Sequence, residues 1–211
     1  MNSSSALSVL YNDQSVLENH HCSCCFAAVE RSGVLASLSP PDFKLFRSLV
    51  VAAILGTDMS SHKELVARTR LRTDAAAGDS PEGAACFSRE LDDRTLAVAY
   101  ILHCSDLCCP LLPPAISRRI ACALAEEFEG QAALERAKAL PITVCLAPDM
   151  RSKAQLEIGF ADHVVVPLFK TFSRLAPGVG SECLARIAAN RAAWCAAVGR
   201  TSHEQGTHGN L

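Results

Sequence analysis

No apolar run in this chain approaches the ~20 residues that a bilayer-spanning helix needs. The longest, around Leu49 to Leu55, stops far short, so no membrane span is expected. The first residues, Met-Asn-Ser-Ser-Ser, carry neither the basic nor the apolar region of a secretion signal, which points to a cytoplasmic location. A cationic stripe is missing too. The 20 Lys and Arg alternate with the 22 Asp and Glu to leave a net charge of −2, and nucleic acid is not an expected partner. Sustained period-two alternation, the mark of strands, is absent, as is any repeat at solenoid periods. Cysteine is the exception to this scarcity, with 11 residues. An odd number scattered through helical patterns without a secretion signal does not make a disulfide framework, so these read as reduced thiols. Cys22, Cys24 and Cys25, and again Cys104, Cys108 and Cys109, are spaced closely enough to share a zinc ion. Service as small core hydrophobes is the simpler reading.

What is present is helical punctuation. A chain that is 49% hydrophobic and 20% charged suits one soluble globular domain, and its pattern predicts an all-α fold. Ser39 is placed to cap a helix that opens on Pro40 and Pro41, carries Asp42 in its first turn and runs to about Leu55. Asp74 to Ala85 reads as an internal loop, and Asp92 or Asp93 caps the helix bearing Leu96, Tyr100 and His103. Pro113 and Pro114 open a long helix to near Leu140. In it Ile116, Ile120, Leu124 and Phe128 form the apolar row, while Arg118, Glu126 and Glu135 are left for water. Gln155 to Leu175 is helical with a kink at Pro167, and Ser181 caps a last helix closing at Gly199. Residues 1–199 thus form the domain, and the polar stretch 200–211 reads as a disordered tail.

Three clusters near helix ends hold side chains suited to metal or acid–base chemistry: Glu18-Asn-His-His21, Thr57-Asp-Met-Ser-Ser-His62 and His103-Cys-Ser-Asp106. Spacing alone does not show that they converge. Asp106 reads equally well as a turn residue, and the histidines as core or surface groups.

Whole stretches carry more. Leu10-Tyr-Asn-Asp-Gln-Ser-Val-Leu-Glu-Asn-His-His21 resembles the Y-N-D-x-S-V-L-E-N-H-H segment of class I cyclic nucleotide phosphodiesterases. It is followed in the family's order by Thr57-Asp-Met-Ser-Ser-His62, similar to A-T-D-M-S-x-H, and by His103-Cys-Ser-Asp-Leu107, similar to H-C-A-D-L. Gly159-Phe160 with Pro167-Leu168, and Asn190-Arg-Ala-Ala-Trp194, resemble the family's Q-x-G-F-[six residues]-P-L and N-R-x-x-W. Together they cover about nine-tenths of the chain.

The resemblance implies the family's compact all-α catalytic domain without its N-terminal helices. It also implies metal-dependent hydrolysis of cyclic AMP or cyclic GMP, with zinc and magnesium as the usual metals. Asp106 matches a metal-ligating aspartate, Glu18 a glutamate that binds metal-held water, and Thr57 with Asp58 the polar groups beyond the ligands. Phe160 matches the aromatic that stacks on the purine, and Leu124 the apolar residue across the base. Two departures stand out. Glu157 occupies the place of the family's purine-reading glutamine, with Gln155 two residues earlier, and Cys109 replaces an asparagine beside the base. Either Gln155 takes the role through a shifted helix, or purine recognition is altered. The strings H-N-x-x-H and H-D-x-x-H-P-G, which bring two histidines, an aspartate and the general-acid histidine, do not occur. This chain alone is expected to be inactive or very weak, and to self-associate through apolar surface that the missing helices would cover. A phosphodiesterase-like binding module is the alternative.

Overall fold

The computed structural model describes residues 5–76, 87–88, 90–144 and 149–206. Every regular element among them is helical: α1 (Ala6–Leu10), α2 (Val16–Ser32), α3 (Pro40–Leu55), α4 (His62–Ala76), α5 (Leu91–Asp106), α6 (Pro114–Ala137), α7 (Met150–Phe160), α8 (Val166–Leu175) and α9 (Pro177–Gly206). Short 3₁₀ turns at Met59–Ser61 and Cys109–Leu111 and a π-helical turn at Ala161–Val165 connect them. The chain divides into two compact units at the end of α5, Ser3–Asp106 and Leu107–Leu211.

In the first unit α3 lies against α2 and α5, and α4 against α5. The buried residues include Ala53, Leu65, Leu96, Ala99, Tyr100 and Cys104. The start of α3 is the one its sequence predicts. Ser39 Oγ accepts from the Asp42 amide and donates to the Asp42 carboxylate, Pro40 occupies the first position, and the helix ends at Leu55. Gly33 closes α2 at φ 64°, a left-handed cap that suits glycine. The turn between α1 and α2 bends harder, with Asn12, Asp13 and Ser15 all at positive φ. The first two are residues that tolerate this region, while Ser15 at φ 39° does so only under constraint. Of the segment read as a loop from Asp74, residues to Ala76 continue α4, and 77–85 lie outside the described residues. α5 begins at Leu91, one residue before the expected caps. Asp93 still serves the helix start, accepting from the Ser88 amide and pairing with Arg72 at 2.9 Å.

In the second unit α7 and α8 both pack on α9. Ala121, Ala154 and Trp194 form a buried cluster joined by Ile158 and Val198. The long helix α6 corrects the sequence expectation. Its buried face is Ser117, Ala121, Ala125 and Ala132, whereas Ile116, Ile120 and Leu124 are exposed. Small residues let helices approach closely, so the alanine row, not the bulky one, meets the neighbours. Glu135, expected in water, is buried. It accepts from Thr143 Oγ1 at 2.6 Å, the Thr143 amide at 2.8 Å and Gln131 Nε2 at 3.0 Å, which satisfies the carboxylate away from solvent. The helix stops at Ala137, short of Leu140, because Ala139 turns left-handed at φ 51°.

The expected break near Pro167 appears as the π turn Ala161–Val165 immediately before α8. A π turn is a known way to absorb a missing backbone donor. Arg191 pins it, donating Nε and Nη2 to the two oxygens of Asp162 at 2.6 and 2.7 Å. Ser181 is not a cap: α9 starts at Pro177, and Ser181 Oγ donates back to the Pro177 carbonyl. Gly180 is needed in this first turn, since a side chain there would run into the Ser173 backbone of α8. α9 also continues past Gly199 to Gly206, and 207–211 lie outside the described residues.

Candidate functional site

Each unit carries its own share of the candidate residues. In the first, the strained Ser15 is held by its hydroxyl, which donates to Asp58 Oδ2 at 2.7 Å. Asp58 Oδ1 accepts the Ser60 amide at 2.8 Å and so caps the 3₁₀ turn that leads into α4. These two donors, Ser15 first, hold the Asp58 carboxyl below its ordinary range. Glu18 lies in the first turn of the helix that Ser15 precedes, α2, and is half-buried. Thr57 Oγ1 donates to the Ile54 carbonyl at 2.8 Å and is committed to the end of α3.

His62 opens α4 and meets His103 of α5 at 2.8 Å, Nδ1 to Nε2, with both rings buried. Burial is the first cause that lowers both pKa values; Lys63 adds to it at His62, and His62 adds to it at His103, where Asp106 acts in the opposite direction. Both rings are therefore neutral at pH 7. Asp106 ends α5 three residues beyond His103 and is exposed. His20 is half-buried and His21 exposed, so neither belongs to this buried contact.

In the second unit Glu157 lies on α7, half-buried, with no hydrogen-bond or ion-pair partner among the described residues. Desolvation raises its pKa. It stands close enough to Cys109 to raise that thiol's pKa as well, after burial, while the thiol donates to the Ser117 carbonyl at 3.8 Å. Gln155, by contrast, is exposed on another face of α7. Phe160 follows Glu157 at helical spacing on the same side and is half-buried, at the mouth of the π turn. Leu124 is 43% exposed on α6, the helix that packs on α7, so it is not spent on the core.

The closing motif Asn190-Arg-Ala-Ala-Trp194 supports this wall. Asn190 is buried and its Nδ2 donates to the carbonyls of Pro110 at 2.7 Å and Leu112 at 2.9 Å, which fixes the turn that carries Cys109. Arg191 fixes the π turn, and Trp194 fills the core behind α7. Sequence reading missed these supports, together with Glu135, because a charge or amide predicts burial only once its partner is known.

The implied metals are a separate matter. Among the described residues no three His, Cys, Asp or Glu side chains are placed to hold a metal ion, the cysteine groups included. Asp58 has both oxygens occupied by Ser15 and Ser60. The donors present therefore do not make a two-metal centre by themselves, since such a site needs several ligands held together. The described cysteines are free thiols. No helix among the described residues is long and apolar enough to cross a membrane.

The family model for 3'5'-cyclic nucleotide phosphodiesterase matches residues 1–185. The Drosophila melanogaster 3',5'-cyclic-AMP phosphodiesterase isoform F is 30% identical over 195 residues, covering 90% of this chain and 29% of that protein. The mouse high affinity cGMP-specific 3',5'-cyclic phosphodiesterase 9A is 30% identical over 186 residues, covering 87% of this chain and 33% of that one. The crystal structure of the phosphodiesterase domain of the RhoPDE fusion protein from the choanoflagellate Salpingoeca rosetta superposes with a TM-score of 0.86 at 32% identity. It covers 96% of this chain and 62% of that one. The chain thus spans about a third of the curated relatives it matches and under two-thirds of the solved domain. With its ordered motifs and its all-helical fold, it belongs to the 3',5'-cyclic nucleotide phosphodiesterase family.

Proposed function

We propose that this chain supplies the base-binding wall and one metal-ligand position, Asp106, of an enzyme that hydrolyses cyclic AMP, cyclic GMP or both to the 5'-nucleotide. In that reaction water adds to phosphorus, the bond from phosphorus to the 3' oxygen breaks, and that oxygen leaves with a proton. The observation that carries the reading is the desolvated, unpartnered carboxyl of Glu157 beside Cys109, with Phe160 at helical spacing along the same face. A flat base stacks on Phe160 with Leu124 as the apolar residue across it, and Glu157, not the exposed Gln155, reads its edge. Burial favours the neutral carboxyl, which donates and accepts as an amide does, while the ionised form only accepts.

Zinc and magnesium supply the activated water in this chemistry when bound. In such a site Asp106 would be the ligand this chain contributes, and Glu18, Thr57 and Asp58 would be outer polar groups. Alone, the chain is expected to bind nucleotide without turnover. The lack of a three-ligand cluster among the described residues equally suits a binding module. A cytoplasmic location accompanies either reading. Self-association is also proposed, through the face of α3 and α5 where Ile101 is 54% exposed beside Val98 and Leu102.

The test is titration of the chain with a fluorescent cyclic nucleotide. Phe160→Ala is expected to weaken binding about tenfold, the effect of one lost base stack. Glu157→Gln is expected to keep binding while removing the loss of binding as the pH rises above the ordinary carboxylate range. Binding that neither substitution alters would refute the assignment.

A further inference from the structure

The imidazoles of His62 and His103 meet at 2.8 Å, His62 Nδ1 to His103 Nε2, inside the first unit. Only one proton fits between two such nitrogens. His103 is fully buried and its other nitrogen, Nδ1, has no partner among the described residues, whereas His62 Nε2 is not stranded in this way. Two neutral arrangements are open. If His62 Nδ1–H donates, the proton of His103 sits on Nδ1, a buried N–H with nothing to receive it, which folded proteins rarely tolerate. If His103 Nε2–H donates, His62 Nδ1 accepts and the proton of His62 sits on Nε2. His103 Nδ1 is then left as a bare lone pair, and no N–H is orphaned.

We infer that His103 is the Nε2–H tautomer donating to His62 Nδ1, and that this buried pair is a positioning device that sets the Thr57–Asp58 turn against the end of α5 carrying Asp106. The links are short. His62 follows Asp58 by the single 3₁₀ turn Met59–Ser61, and His103 precedes Asp106 by less than one turn of α5. On the other side Asp58 is tied through Ser15 to the start of α2. Two hydrogen bonds, one between the rings and one from Ser15 to Asp58, thus join three helix ends. The functional half of the inference rests on the reading of Asp106 given above, while the tautomer does not.

The experiment is a long-range ¹H–¹⁵N correlation spectrum of the full chain labelled in histidine at pH 7. Both His62 and His103 are expected as Nε2–H with Nδ1 bare. Nδ1–H on His103, or an imidazolium pattern on either ring, overturns the assignment. Isosteres test the positioning. Asparagine reproduces a ring's Nδ1 site and glutamine its Nε2 site, so His62→Asn and His103→Gln are expected to keep the bond. His62→Gln and His103→Asn are expected to lose it. Amide exchange at Ser60 and Asp106 reads the outcome: near-unsubstituted rates in the matched pair and about tenfold faster exchange in the mismatched pair. Equal behaviour of all four variants would show packing alone and overturn the positioning role. Should a mismatched variant fail to fold, the spectrum of the unsubstituted chain still decides the tautomer. Loss of nucleotide binding with the pair intact would count against the phosphodiesterase site alone.

Discussion

Replacing Asn190 by alanine leaves two backbone carbonyls without their donor. The Pro110 carbonyl is bonded in a fully buried place and the Leu112 carbonyl in a partly buried one. A stranded buried acceptor costs about 1–3 kcal/mol, and a hydrogen bond lost where water can substitute costs about 0.5–1.5 kcal/mol. The sum places Asn190→Ala at about 1.5–4.5 kcal/mol of destabilisation, a large fraction of the roughly 5–15 kcal/mol typical of a domain. Asn190→Asp goes further at neutral pH, because an ionised carboxylate faces two carbonyl oxygens with nothing to donate. Its deficit shrinks on acidification, when the protonated acid regains one donor. Denaturant unfolding followed by the fluorescence of Trp194, which lies four residues along the same helix, reports on this unit directly. A loss below about 0.5 kcal/mol for the alanine variant, or an aspartate variant no worse than the alanine one at pH 7, would refute the account.

Three further outcomes follow from the same geometry. His62 and His103 have lowered pKa values, so the unfolded chain takes up protons near pH 6.5 before the folded one does. Stability is therefore full above that value and falls as the pH drops toward the folded values, by up to about 1.4 kcal/mol per pH unit for each proton taken up. Denaturation midpoints between pH 7.5 and 5 check this, and the slope should flatten in the His103→Gln variant. The lowered Asp58 and Asp162 act in the same direction only at more acid pH, below about 4, whereas the raised Glu157 opposes it. Ile101→Glu on the exposed face of α3 and α5 is expected to abolish concentration-dependent association in sedimentation velocity without altering the unfolding midpoint. An unsubstituted chain that is monomeric at all concentrations would end that proposal. Asp106→Ala, at an exposed helix end, is expected to change stability by less than about 0.5 kcal/mol, and a larger loss by thermal melting would give Asp106 a structural role.

The parts of the fold legible in the sequence are those fixed locally. Ser39 with Pro40 and Asp42 sets a helix start without help from distant residues, and the bend ahead of Pro167 follows from one missing donor. Distant partners account for the rest. The bulky row Ile116, Ile120 and Leu124 looks like a core face, but Ala121, Ala125 and Ala132 are what permit close approach. Glu135 looks like a solvated charge until Thr143 folds back onto it. Ser181 looks like a helix cap, but α9 already starts at Pro177, and the glycine at 180 lets α8 come near. At the site, motif identity named Asp58, Asp106, Glu157 and Phe160. It did not show that Asp58 braces Ser15, that Gln155 is exposed while Glu157 is desolvated, or that the histidines are one buried pair.

The spacing of Asn190, Arg191 and Trp194 has a consequence for where this domain ends. The family match stops at residue 185, yet Asn190, which ties α9 to the turn at Pro110, lies five positions later. Within little more than one turn, α9 ties down the turn before α6, the π turn before α8 and the packing beneath α7. A chain cut at the border of the family match would keep every residue assigned to nucleotide or metal and lose all three ties at once. For engineering, α9 is the keel of the unit, and the sequence boundary that recognises the enzyme is not the boundary that keeps it upright.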